Sequence, residues 1–327
     1  MCGTEDRGAG QDPMPADPVI RTDQQRCFDE RGHPASCSGT GQEGERRPGR
    51  PWPEPRFSAD GDTVIDHLTE RVWMKDAGKE AFPMSWAEAG RFIASLNADA
   101  AASRTDWRLP SRRELFSLVS HDRVNPALPA GNPFDGVFPG YYWSATPCAA
   151  APSQAWYVHM GGGRVFKGMK HGSYMVWPVA GPVYSPYRAG TRGERFSAGA
   201  ETVLDRATGR MWAKVPGLQR GPVSWAGALS LAAELNERRW AGYRDWRMPG
   251  VRELESLVDI ERHSPALAGD CFRAPPEGCW TSTTSVYEPA YAWVVYFREG
   301  AVGVGFKPKA DFGLWPVRSE TVDGSSG

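Results

Sequence analysis

Polar and apolar types mix within Thr63-Val64-Ile65-Asp66 and Arg71-Val72-Trp73-Met74, two short runs rich in β-branched and aromatic residues that flank a short polar turn, a pattern that predicts a β-hairpin. A helical period follows. Ser85-Trp86-Ala87-Glu88 is a capping box, and Trp86, Ala89, Phe92, Ile93 and Leu96 recur at helical spacing behind it, predicting a helix through Asn97. A second box, Ser111-Arg112-Arg113-Glu114, opens a shorter helix carrying Leu115, Leu118 and Val119. Beyond it only strand patterns remain, at Tyr141–Thr146, Ala155–Met160, Arg164–Lys167 and Met175–Val179. A hairpin, two helices and an antiparallel meander make an α+β domain.

The whole pattern occurs twice. Arg56-Phe57-Ser58-Ala59 returns as Arg195-Phe196-Ser197-Ala198, and Asp106-Trp107-Arg108 as Asp245-Trp246-Arg247, at a constant spacing of 139 residues. After a loop of unequal length the spacing becomes 137, so that Trp143, Trp156, Gly168 and Lys170 match Trp280, Trp293, Gly305 and Lys307. Each copy is about 125 residues, an ordinary size for a domain with its own core. The organisation expected is a flexible arm at 1–55, a first domain at 56–180, a linker at 181–194, a second domain at 195–318 and a disordered tail at 319–327.

Composition sharpens this. Of the fourteen tryptophans, most sit at matched positions, and Trp73, Trp86, Trp107, Trp143 and Trp156, with Trp212, Trp225, Trp246, Trp280 and Trp293, read as framework. A net charge of −1 gives no overall field toward nucleic acid, and no metal or other cofactor signature is present. No apolar run approaches the roughly 20 residues of a membrane span, and the first thirty residues lack the pattern of a signal peptide. The six cysteines have no counterparts between copies. Cys27 with Cys37 and Cys271 with Cys279 each bracket a turn-rich stretch, which suits small disulfide loops; free thiols are the alternative. Cys2 would carry a lipid anchor if it were the mature first residue of a lipoprotein; otherwise it has no role.

Candidate chemistry is sparse. Asp106, Arg108, Arg113 and Glu114, matched by Asp245, Arg247, Arg252 and Glu253, gather acid and base near a tryptophan. One carboxylate could act as a general acid, but Glu114 already belongs to a capping box, which favours a structural ion pair. No histidine is duplicated, and zinc, nucleophile-elbow and phosphate-loop motifs are absent. Gly39-Thr40-Gly41-Gln42-Glu43-Gly44 fits a dinucleotide fingerprint only in letters, since no strand precedes it. Asp60-Gly61-Asp62 reads as a hairpin turn and not a calcium loop. Lys167, Lys170, Lys307 and Lys309, with Arg164 and His171 nearby, are either solvated or positioned for an acidic polysaccharide. The copies differ most in residues 129–154 and 268–291, where Tyr141, Tyr142, Arg273, Tyr287 and Tyr291 suit stacking on a sugar or a protein partner.

Asp106-Trp107-Arg108-Leu109-Pro110, Arg113-Glu114-Leu115, Tyr142-Trp143-Ser144-Ala145-Thr146 and Ala155-Trp156, with their second-copy matches, resemble the bacterial domain family typified by the C-terminal domain of the collagen-like adhesin Lcl. The resemblance covers about three quarters of the chain; the second copy departs at Met248, Gly250 and Thr281. It implies a C-type-lectin-like fold, related in shape to formylglycine-generating enzymes, and an extracytoplasmic setting. By analogy with the adhesin's binding of sulfated polysaccharide, the expectation is a non-enzymatic binding or adhesion protein recognising a glycan, a surface polymer or a cell-surface protein. The alternatives are a formylglycine-generating-type enzyme, which needs reactive thiols, and a protein-interaction module of an envelope assembly.

Overall fold

The computed structural model describes residues 18–80, 82–187, 195–216 and 221–319. The arm contributes β1 (Cys27–Phe28), β2 (Pro34–Ala35) and the single-turn helix α1 (Glu43–Arg46). The first copy follows as β3 (Phe57–Asp60), β4 (Thr63–Asp66), β5 (Arg71–Met74), α2 (Trp86–Ala98), β6 (Trp107–Arg108), α3 (Arg112–Leu118), β7 (Tyr141–Pro147), β8 (Gln154–His159), β9 (Val165–Met169) and β10 (Val179–Ala180). The second runs β11 (Phe196–Ala198), β12 (Thr202–Asp205), β13 (Arg210–Ala213), α4 (Trp225–Glu237), α5 (Val251–Ser256), β14 (Gly278–Thr284), β15 (Tyr291–Tyr296), β16 (Ala301–Phe306) and β17 (Val317–Ser319). The expected strand Met175–Val179 is a strand only from Val179; Met175 makes one parallel bridge to Tyr142 and Trp177 is fully buried.

Both hairpins form as the pattern predicts. Val64 pairs with Trp73 and Val203 with Trp212, all four at 0% exposure, so one face of each hairpin closes a core. Both capping boxes of the first copy are complete: the Ser85 hydroxyl accepts from Glu88 N, and the Ser111 hydroxyl accepts from Glu114 N at 3.2 Å while Ser111 N donates to Glu114 Oε2 at 2.7 Å. The small sheets are ordered β3-β4-β5-β10-β6 and β11-β12-β13-β17.

The remaining strands do not form two separate meanders. They join in one six-stranded sheet, β14-β15-β16-β9-β8-β7, three strands from each copy, closed at the seam by Val165 against Val302. These valines are equivalent positions in the repeat, so the seam has the logic of a two-fold interface within one chain. The helices repeat that logic. Arg113 Nη2 donates to the carbonyls of Glu255 and Val258, at 3.4 and 2.6 Å. Arg252 Nη2 donates to Phe116 O and Val119 O, the equivalent carbonyls, at 2.5 and 3.2 Å. Each guanidinium thus reaches two carbonyls at the end of the opposite short helix: one that already accepts from a backbone N–H, Val119 N to Phe116 O and Val258 N to Glu255 O, and one, of Val258 or Val119, just past the helix. Side chains break the symmetry: Glu255 accepts from Arg112 and Arg113, whereas its counterpart Phe116 lies under Arg252 at 3.9 Å.

The arm differs from the flexible segment expected. From residue 18 it is packed, with Val19, Ile20, Cys27 and Phe28 buried. Its few apolar residues suffice because its polar ones are paired to the framework. The Gln24 amide donates to His121 O (2.9 Å) and Thr284 O (2.7 Å) and accepts from Thr284 N (2.9 Å), strapping one copy to the other. Glu43, fully buried, accepts from the hydroxyls of Thr22 (2.5 Å) and Thr283, and sits where Gly250 has no side chain. Cys27 and Cys37 are joined. The second staple is not: Cys271 and Cys279 are free, because Cys279 lies inside β14 opposite Val295 in the core and not on a loop. Cys2 and residues 188–194 and 320–327 of the linker and tail lie outside the described residues.

His121 sits at this junction between Phe116 and Trp293, at 1% exposure, with neither ring nitrogen hydrogen-bonded. Burial, with Arg252 beside it, pushes its pKa well below the usual imidazole value. As pH falls below about 6.5 the unfolded chain takes up this proton first, so stability is lost by up to about 1.4 kcal/mol per pH unit. Asp23 and Glu43, raised by burial, act in the opposite sense: their contribution is present in acid and is lost as pH rises through their folded values. Urea unfolding at pH 7 and pH 5 is expected to show a smaller acid loss for His121→Leu than for the parent. Glu255→Ala strands Arg112 at 0% exposure, and denaturation at neutral pH should register a loss of about 3–5 kcal/mol.

Candidate functional site

The acid and base clusters are saturated ion pairs. Glu114 takes a two-pronged contact from Arg108 (2.8 and 2.6 Å) and a hydrogen bond from Tyr184 N (2.8 Å). Glu253 takes the same contact from Arg247 (2.6 and 2.7 Å) and a further one from Arg210 (2.7 Å). Burial alone would raise the Glu253 carboxyl, but Arg247 and Arg210 outweigh it and hold its pKa at about 2. Such a group has no proton to give. Asp106 pairs with Arg104 and Asp245 with Arg318, fixing β6 and β17. The expected partner of Arg113 within its own copy is replaced by the crossing to Glu255. Trp73, Trp107, Trp143, Trp156, Trp212, Trp225, Trp246, Trp280 and Trp293 are all buried; Trp86 is half-buried.

The candidate ligand residues do not converge as a set. Tyr142 is buried and accepts from Phe138 N at 2.8 Å. Lys167 is paired with Glu299, and Lys309 with Asp311 at 3.3 Å. Lys307 has 0% exposure: its ammonium stands over Trp225 at 4.2 Å and donates to Asp29 O at 3.1 Å. Burial lowers its pKa to about 7. Lys170 stands over Trp86 at 4.4 Å. Tyr291 packs on Phe306 and Arg273 is exposed on its loop.

Tyr141 and Tyr287 do come together. They border a cleft of about 540 Å³ across the sheet seam, walled by Tyr157, His159, Arg164 and Phe166 of the first copy and by Tyr296, Val302, Gly303 and Val304 of the second. Tyr141 lies 4.9 Å from Tyr157 and 4.8 Å from His159, centroid to centroid, both edge-on. Tyr287 rests against Gly162, where a Cβ would stand 3.3 Å from its ring. His159 Nδ1 accepts from Gly162 N at 3.2 Å, which holds the β8–β9 turn under Tyr287. Burial and Arg164 lower the His159 pKa. Arg164 itself makes no side-chain hydrogen bond or ion pair among the described residues. A larger recess, about 680 Å³, is lined by residues of both copies, among them Arg113, Tyr187, Arg195 and Val258, and holds none of the candidate ligand residues.

Tyr157, His159, Phe166 and Tyr296 were not singled out from sequence. Their signal is strand alternation: Tyr157 and His159 flank buried Val158, and Phe166 follows buried Val165. Where the first copy has Tyr141, Tyr157 and Phe166, the second has Gly278, Val294 and Gly303, so the second copy's aromatic contribution to the cleft comes from other positions, Tyr287 and Tyr296.

The model of the Lcl C-terminal domain matches residues 62–180 and 201–318. The chain belongs to the Lcl C-terminal domain family. No curated protein matches the chain. The cleft therefore lies between two Lcl C-terminal domains and takes walls from both. Among the described residues no helix is long and apolar enough to cross a membrane, and no group of three or more His, Cys, Asp or Glu is placed to hold a metal ion. If Glu253 is an ion-pair anchor, Glu253→Gln leaves Arg210 and Arg247 without their counter-charge, and chemical denaturation should show a loss of about 3 kcal/mol. A carboxylate kept for catalysis would be replaced with little change in stability.

Proposed function

We propose that the chain is a non-enzymatic, extracytoplasmic binding protein with C-type-lectin-like domains, which recognises a glycan or similar surface polymer in the cleft at the seam. The observation that carries this reading is the aromatic lining. Tyr141, Phe166 and Tyr287, exposed by 44%, 48% and 53%, are large apolar faces that a soluble protein leaves open where it binds something. Aromatic faces stack on the C–H faces of sugar rings, and the phenol hydroxyls and Arg164 supply polar contacts at the rim, Arg164 suiting a carboxylate or sulfate. The cleft is open, as a polymer running through it requires.

The Cys27–Cys37 bridge supports an oxidising compartment. Of the three free thiols among the described residues, Cys271 is half-buried and the other two are poorly placed for a thiol-based reaction. Cys148 and Cys279 are buried, and burial raises the Cys279 thiol far above the range in which a reactive thiolate forms. On a glycan and polyanion array the full chain is expected to bind a defined subset. The variants Tyr287→Ala and Phe166→Ala should each weaken that binding by roughly tenfold, the worth of one aromatic contact. A folded protein that binds no glycan, or variants that bind as the parent does, would overturn the reading.

A further inference from the structure

The arm occupies a platform on the second copy whose twin on the first copy is uncovered. On the second copy the Lys307 ammonium, over the Trp225 ring, donates to Asp29 O, with the Phe28 ring 5.9 Å away. Gly32 abuts Pro289 and Ala290 so closely that a Cβ would stand 2.6 Å from Ala290 N. The equivalent residues on the first copy are Lys170, Trp86, Pro152 and Ser153. Three of the four are identical. Lys170 stands over Trp86 at 4.4 Å, as Lys307 stands over Trp225 at 4.2 Å, and Trp86 N donates to Lys170 O (3.0 Å) as Trp225 N does to Lys307 O (2.9 Å). The difference is exposure. Lys307 and Trp225 are buried, Lys170 and Trp86 half-buried, and Pro152 and Ser153 are exposed where Pro289 and Ala290 are half-buried. The Lys170 ammonium makes no hydrogen bond or ion pair among the described residues.

The arm's anchors explain why it goes to one platform only. Gln24 pairs with both backbone groups of Thr284, whose counterpart is Pro147, with no N–H to give. Glu43 fits against Gly250, whose counterpart Ser111 carries the side chain that caps α3. We infer that the face formed by Trp86, Pro152 and Lys170 is a docking surface for a turn on another protein, of the same chemistry as residues 28–32. That turn offers an aromatic ring, a backbone carbonyl to the Lys170 ammonium, and a glycine against Pro152. None of these residues lines the cleft, so the inference does not rest on the proposed glycan site.

A synthetic peptide of residues 26–38, cyclised through Cys27 and Cys37, is the probe, titrated calorimetrically into the oxidised full chain. Saturable one-to-one binding is expected, weakened roughly tenfold by Lys170→Glu and unchanged by Lys309→Glu, a lysine off the platform. A peptide carrying Gly32→Val should not bind, because its Cβ has no room. Thermal unfolding of Lys170→Glu checks its fold, and Lys170→Ala serves in its place if it is perturbed. No binding up to millimolar peptide, parental affinity in the Lys170 variants, or equal binding of the Gly32→Val peptide would each overturn the inference, the last by showing charge attraction alone.

Discussion

The structure depends on two guanidinium groups that cross between the copies. The helices α3 and α5, of seven and six residues, end against the opposite copy, with Val119 and Val258 just past their last turns. Arg113 and Arg252, each from the other copy, donate to the Val258 and Val119 carbonyls and bring positive charge to the end of the helix where it is favoured. Both arginines are largely buried, so truncating either in the folded protein would take a donor from buried carbonyls with no water to replace it. With the helices held, Val165 meets Val302 and six strands become one sheet. Without the crossing there is no seam, and without the seam no cleft.

Duplication supplies the symmetry and divergence supplies the sites. The second copy has Gly278, Val294 and Gly303 where the first carries Tyr141, Tyr157 and Phe166, so only the first copy presents aromatic rings to the cleft from these positions. Thr284 and Gly250 accept the arm where Pro147 and Ser111 do not. The arm in turn straps the copies together through Gln24, which bonds His121 O on one and Thr284 on the other. A chain built from two like halves in this way holds three unlike places: a cleft shared by both, one covered platform and one open platform.

Much of the local structure was legible in the sequence, because it is set by local rules. Ser85 with Glu88 and Ser111 with Glu114 announce their helices, the β-branched and aromatic runs around Val64 and Trp73 announce the hairpin, and the paired tryptophans mark the core. What escaped is set between copies. Arg113 looks like a partner for Glu114, its neighbour in sequence; only the fold shows Glu114 already filled by Arg108 and Arg113 free to cross. The arm looks too polar to pack, since nothing in its composition says that Gln24 and Glu43 will meet Thr284 and Thr283. Cys271 and Cys279 look like a staple until β14 is seen to run through Cys279. Of the tyrosines and cations singled out, Tyr141, Arg164 and Tyr287 reach the cleft, while Lys167, Lys307 and Lys309 are taken up by Glu299, Asp29 and Asp311.

The central claim is that the two copies form one cooperative body through the reciprocal crossing, and cutting the chain between them tests it most directly. A protease site placed within residues 188–194 and cleaved in the folded protein should leave halves that co-elute one-to-one in size-exclusion chromatography and unfold in a single calorimetric transition. The same cleavage in an Arg113→Ala, Arg252→Ala background should release them. Halves that separate on cleavage of the parent protein, or that melt as two independent transitions, would contradict the account.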